Sequence, residues 1–89
     1  MSFANEAVIC TPVRTPIGTY GGALKSTPAT ELGAAAIRAV LSLSGLDPAK
    51  VDSVVMGNVI QAGNKMNPAR QAAIGGGIPV EAPAMTVNR

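Results

Sequence analysis

A chain of 89 residues with a net charge of +2 and only 13% charged residues holds one small domain at most, and its charge is about half that of an ordinary soluble chain. Its Lys and Arg are scattered, and Phe3 and Tyr20 are its only aromatics, so no nucleic-acid-binding face is expected. One cysteine, Cys10, and no histidine exclude an internal disulfide framework and make a metal site an unpromising reading.

No segment approaches the roughly 18–20 apolar residues of a membrane span. The opening M-S-F-A-N-E lacks the basic region and apolar core of a signal peptide. The expectation is a cytoplasmic protein with no membrane partner. Hydrophobic residues make up 47% of the chain. A free-standing domain this small needs more charge on its surface, so much of that surface is expected to be covered by other protein.

The first expected element is a short strand, Ala7 to Cys10, a continuous apolar run of the kind buried on both faces. Thr11-Pro12 and Thr15-Pro16 end it, and Gly18 to Gly22 forms a turn region. Pro28 to Ser44 then predicts a helix, with Thr27 as N-cap and Pro28 at the first helical position. Leu32, Ala36, Ala39, Val40 and Leu43 recur at helical spacing and define its expected apolar face. Gly45 closes the helix, with Leu46 folding back on Leu41, and Asp47-Pro48 blocks continuation.

A second strand is expected over Val51 to Ile60, with Gly57 and Asn58 marking a bulge or a close backbone approach. A polar loop, Gln61 to Met66, leads to a second helix, Pro68 to Ile74, with Asn67 as N-cap and Gly75 to Gly77 as terminator. The third expected strand is Ala82 to Val87. The order β-α-β-α-β predicts an α/β fold with a parallel or mixed sheet. Three strands and two helices leave sheet edges and faces open, as in part of a larger layer.

Candidate chemistry is sparse. Gly18, Gly21 and Gly22 lack the G-x-G-x-x-G spacing of a dinucleotide fingerprint, and Lys25-Ser26 follows Leu24 where a P-loop has Gly. Cys10 ends an apolar run, away from any helix start, cation or base that would make a thiolate, so burial is the expected role. Glu6, Glu31, Asp47, Asp52 and Glu81 are dispersed, with no pair spaced for acid–base work. The loop N-K-M-N-P-A-R-Q is more informative. Polar residues surround Met66 as at the rim of an interface, and Gln61, Met66, Asn67 and Arg70 are the candidates for subunit contact.

Several segments together resemble thiolases. C-T-P-V-R-T-P-I-G-T-Y-G-G-A-L-K is similar to the family's opening strand and loop. The likeness continues through E-L-G-A-A-A-I-R-A-V-L, V-M-G-N-V-I-Q-A-G and N-P-A-R-Q-A-A, and closes on P-A-M-T-V-N-R. It covers nearly the whole chain in the family's order.

The resemblance implies the first β-α-β-α-β portion of the N-terminal half of a five-layer αβαβα core. Residues 1–89 would be a partial N-terminal thiolase domain, with the remainder on another chain or beyond residue 89. Asn88 and Arg89 match the first two positions of the family pattern N-x-x-C-G-S-G, which puts the nucleophilic cysteine two residues past Arg89. Cys10 falls where the family often has Ser, so it does not inherit that role. No catalytic, cofactor-binding or metal residue is therefore expected within the chain.

The implied activity is that of an acetyl-CoA C-acetyltransferase of fatty acid metabolism. It would condense two acetyl-CoA reversibly to acetoacetyl-CoA and CoA through an acyl-cysteine intermediate. A His and a second Cys from the distant C-terminal half would serve as acid and base. Coenzyme A thioesters would be substrates, with no separate cofactor. The expected partners are a complementary C-terminal thiolase chain and, for the complete unit, further copies in a homodimer or tetramer. Two alternatives stand beside this: a noncatalytic thiolase-like scaffold or lipid-binding subunit, and a small nucleotide-binding α/β domain.

Overall fold

The computed structural model describes residues 6–89. Among the described residues the regular elements are helix α1 (Ala29–Ser44), a short 3₁₀ turn (Pro48–Lys50), strand β1 (Val54–Gly57), helix α2 (Pro68–Gly75) and strand β2 (Ala84–Val87). The two strands pair in parallel, Val54 opposite Ala84 through Gly57 opposite Val87. Helix α2 makes the crossover between them, as the alternation of elements predicts.

Both strands alternate with period two. Val54, Met56, Ala84 and Thr86 are half-buried beneath the helices, while Val55 and Met85 lie exposed on the opposite face. The core is built mostly of small side chains. Ala73, Ile78 and Ala82 form its centre, with Ile37, Leu41, Val51 and Val54 packed against it. Most residues of the segment 6–27 lie exposed outside it. The accessible surface of 6732 Å² exceeds the roughly 4,800 Å² expected of a compact monomer of this mass.

The two helices meet through glycine and alanine. A Cβ on Gly33 would sit 2.9 Å from the Ala72 Cβ, one on Gly75 would sit 3.1 Å from the Ala34 Cβ, and one on Gly76 would sit 2.6 Å from the Ile37 Cγ2. The contact face of α1 is therefore Gly33, Ala34, Ile37 and Leu41, rotated from the expected Leu32–Ala36–Ala39–Val40–Leu43 stripe. Leu43 is 71% exposed. Side-chain hydrophobicity marks the wrong face here because close approach of two backbones favours the smallest residues, not the largest.

The helix ends follow local chemistry, with one-residue shifts at the start of α1 and the end of α2. Pro28 is the N-cap of α1, extended at φ −60° and ψ 149°, and no side chain caps the helix. Its carbonyl accepts from the Glu31 and Leu32 N–H groups, so Thr27 lies one residue outside the expected position. Gly45 closes α1 at φ 71°, a left-handed geometry open to glycine, and its N–H donates to Leu41 O. The Leu46 N–H then turns to Ser44 Oγ at 3.2 Å rather than to a helix carbonyl. Asp47 caps the 3₁₀ turn by accepting from the Ala49 N–H. Helix α2 begins at Pro68 as expected and runs one residue past Ile74, to Gly75.

The expected strands are corrected in extent. Ala7–Cys10 is not a strand: Val8 is 76% exposed and Ile9 99% exposed, and β1 pairs only with β2 among the described residues. A strand needs a neighbour for its backbone N–H and C=O groups, and this run has none. For the same reason Cys10 is exposed, against the expectation of burial. The second strand shortens from Val51–Ile60 to Val54–Gly57. The Val51 N–H is taken by the 3₁₀ turn through Pro48 O, and β2 offers only a four-residue partner. The third starts at Ala84 instead of Ala82, because Ala82 donates to Pro79 O in a turn and Pro83 has no N–H to offer.

Candidate functional site

Among the described residues, a connected group of polar side chains joins β2, the loop after β1 and the start of α2. Its hub is Asn67. The Asn67 Oδ1 accepts from the Arg70 N–H at 3.3 Å and from the Thr86 hydroxyl at 2.8 Å, and its Nδ2 donates to Ala84 O at 3.1 Å. The Thr86 hydroxyl also accepts from the Ala69 N–H at 2.9 Å. Two of the free N–H groups in the first turn of α2 are thus satisfied, one by the cap residue and one by a strand residue. Asn67 was expected as an N-cap and is one. Its backbone is left-handed, φ 45° and ψ 76°, a region that Asn tolerates better than most residues.

The loop itself is braced from within. Gln71 Nε2 donates to both Asn64 O and Met66 O. Gln61 Nε2 donates to Asn58 O at 2.9 Å. Lys65 as well as Asn67 has a positive φ, so two strained residues flank Met66, whose side chain is 88% exposed. Strain of this kind persists only where surrounding contacts hold it, and it concentrates at functional segments.

At the strand exit, the Asn58 N–H and the Arg89 N–H both donate to Val87 O, each at 2.9 Å. The second of these closes a tight turn about Asn88. The Arg89 backbone crosses directly over Gly57, where a Cβ would meet the Arg89 carbonyl oxygen at 2.9 Å. The close approach expected at Gly57 is therefore present, and its partner is Arg89.

Of the four candidate contact residues, Asn67 and Arg70 come together at the start of α2, Gln61 serves its own loop, and Met66 projects outward. The Arg70 guanidinium is occupied within the chain, with Nη1 donating to Val80 O at 3.0 Å. Sequence reasoning missed Thr86 and Gln71. The available signal for Thr86 was its position as the single polar side chain in A-M-T-V. Among the described residues no three His, Cys, Asp or Glu side chains gather as a metal site would need, and no helix is long and apolar enough to cross a membrane.

These features sit on segments shared with known proteins. A probable acetyl-CoA acyltransferase of Staphylococcus aureus is 50% identical over 84 residues, covering 94% of this chain and 21% of that protein. A probable acetyl-CoA acyltransferase of Staphylococcus epidermidis is 51% identical over 85 residues, covering 96% of this chain and 22% of that protein. The chain thus spans about a fifth of the length of the curated relatives it matches. The family model described as the N-terminal domain of thiolase matches residues 7–89, from the exposed Ala7–Cys10 run to the strand exit at Arg89. That span takes in the braced loop, both helices and both strands, and by it the chain belongs to the thiolase family through its N-terminal domain.

Proposed function

We propose that this chain is the part of an acetyl-CoA C-acetyltransferase that presents the nucleophile-bearing segment. The observation that carries the reading is the anchored exit of β2, on a chain matching the thiolase N-terminal domain over residues 7–89. Val87 O holds two N–H groups and the Arg89 backbone rests on Gly57, which together fix the chain where it leaves β2. In the family pattern that N-x-x-C completes, the cysteine lies two residues past Arg89.

The chemistry follows from that cysteine. Its thiolate attacks the carbonyl carbon of an acetyl-CoA thioester. The carbon–sulfur bond to CoA breaks, CoA leaves as a thiolate that takes up a proton, and the acetyl group remains as a cysteine thioester. A base removes an α-proton from a second acetyl-CoA. The resulting carbanion attacks the acetyl-cysteine, giving acetoacetyl-CoA and the free cysteine thiolate. The base and the proton donor belong to the C-terminal half of the enzyme, consistent with a chain that has no histidine. Acetyl-CoA as donor, and the homo-oligomeric state of the complete unit, belong to the same proposal.

The Met66 loop is proposed as a subunit contact, on the exposure of Met66 between two strained residues. The test of the whole reading is CoA-dependent thiolysis of acetoacetyl-CoA by the full-length protein. Intact mass should show an acetyl adduct on the cysteine that follows Asn88-Arg89, and the 89-residue chain alone should be inactive. Thiolysis by the 89-residue chain, or a full-length protein that binds acyl-CoA and forms no adduct, would refute it. The latter result is the one a noncatalytic subunit gives.

A further inference from the structure

We propose that Thr86 is a positioning residue that couples the start of α2 to the exit of β2 and thereby holds the acyl-accepting cysteine in place. The inference rests on the reading above.

Three features single out Thr86. First, both functions of its hydroxyl are used: it donates to Asn67 Oδ1 at 2.8 Å and accepts from the Ala69 N–H at 2.9 Å. Second, Ala69 has no exposed surface, so loss of the hydroxyl leaves a buried N–H without its partner. Third, Asn67 returns to the same strand through Nδ2 and Ala84 O, closing a ring that runs from strand to helix cap and back. Thr86 directly precedes Val87, whose carbonyl anchors both Asn58 and Arg89. A shift of Thr86 therefore moves the anchor of the segment beyond.

An ordinary packing contact would not require a threonine here. Val fills nearly the same volume and has equal or better preference for a strand. The difference between Thr and Val at this position is the hydroxyl alone, which makes the substitution a test of the ring rather than of packing. Reacting groups held about 1 Å from their productive placement can lose about a hundredfold in rate. Substrate binding at CoA-contacting residues elsewhere would be left nearly unchanged.

The experiment uses the full-length protein with acetoacetyl-CoA and CoA. Thr86→Val should lower kcat by about 10- to 100-fold and leave KM within about twofold. It should also slow single-turnover acetylation of the cysteine by a similar factor. Thr86→Ser, which keeps the hydroxyl, should restore kcat to within about threefold. If Thr86→Val does not fold, Asn67→Asp serves in its place. It keeps the acceptor for Thr86 and Arg70 and turns the donor to Ala84 O into a repelling carboxylate oxygen; it should lower kcat with KM unchanged, and a wild-type kcat would overturn the proposal.

A Thr86→Val enzyme with wild-type kcat and only a lower melting temperature would overturn the proposal. So would a folded Thr86→Ser variant as slow as Thr86→Val. If the wild-type protein forms no acetyl-cysteine, the functional reading fails and takes this inference with it. If the wild type acetylates normally and Thr86→Val matches it, only the role of Thr86 fails.

Discussion

Gly57 and Arg89 are in backbone contact: a Cβ on Gly57 would lie 2.9 Å from the Arg89 carbonyl oxygen and 3.3 Å from the Arg89 Cβ. Gly57 ends β1 and Arg89 follows β2, so the two strands are drawn together just where the chain leaves the sheet. The neighbour that must yield to a side chain here is main chain, which cannot rotate away. Gly57→Ala should therefore destabilise the full-length protein by about 1–3 kcal/mol. Denaturant unfolding measures this, and an unchanged midpoint would contradict the contact.

The α1–α2 crossing makes a second prediction. A methyl on Gly76 would reach to 2.6 Å from the Ile37 Cγ2, well inside van der Waals contact. Gly76→Ala should cost about 1–3 kcal/mol through overpacking. Ile37→Ala should also destabilise the protein, by leaving a cavity. The double variant should be more stable than the sum of the two losses predicts, with a coupling of about 0.5–3 kcal/mol. Additive losses would mean that the two side chains do not compete for the same space.

The helices were legible, with the caps Asn67 and Gly45, because local chemistry decides them; the expected Thr27 cap was not borne out, since Pro28 takes that place. Pro68 with Asn67 before it, and Gly45 at the end of a periodic stretch, act through their own backbones and nearest neighbours. The parallel pairing of β1 and β2 was legible from the alternation of elements. The extents of the strands were not, because a strand ends where its partner ends. Ala7–Cys10 shows this most clearly: its composition is that of a buried strand, yet Ile9 is 99% exposed. The contacting face of α1 was hidden for a different reason. Periodicity counts large apolar side chains, whereas Gly33, Ala34 and Gly76 form the contact by being small. The Thr86–Asn67 ring joins residues nineteen apart in sequence, and no local pattern announces it.

Cys10 gives a third prediction. It is exposed at the end of an unpaired apolar run, so in the 89-residue chain a thiol reagent should modify it at the rate of a free cysteine. On the proposed reading, the rest of the enzyme supplies the missing neighbour of Ala7–Cys10. Labelling of Cys10 in the full-length protein should then be slower by at least about tenfold, since a buried thiol reacts only when its surroundings open. Mass spectrometry of the modified peptide separates Cys10 from any other cysteine. Equal labelling rates in the two proteins would show that the run stays uncovered.

The last prediction concerns the Met66 loop, and the structure changes which substitution should test it. Arg70→Glu would dissociate an assembly that depends on Arg70. It would also remove the bond from Nη1 to Val80 O and put a negative charge beside a backbone carbonyl. Loss of assembly in that variant could therefore follow from a disturbed protomer. Met66 carries no such burden. Its side chain is 88% exposed, while its carbonyl, which any residue supplies, is what Gln71 holds. Met66→Glu thus keeps the brace and alters only the projecting side chain. At the centre of an interface a buried, unpaired carboxylate costs several kcal/mol. Sedimentation of the full-length protein should then show a smaller species, with the loop fold retained. A Met66→Glu protein that sediments as the wild type does would remove this loop from the subunit contact.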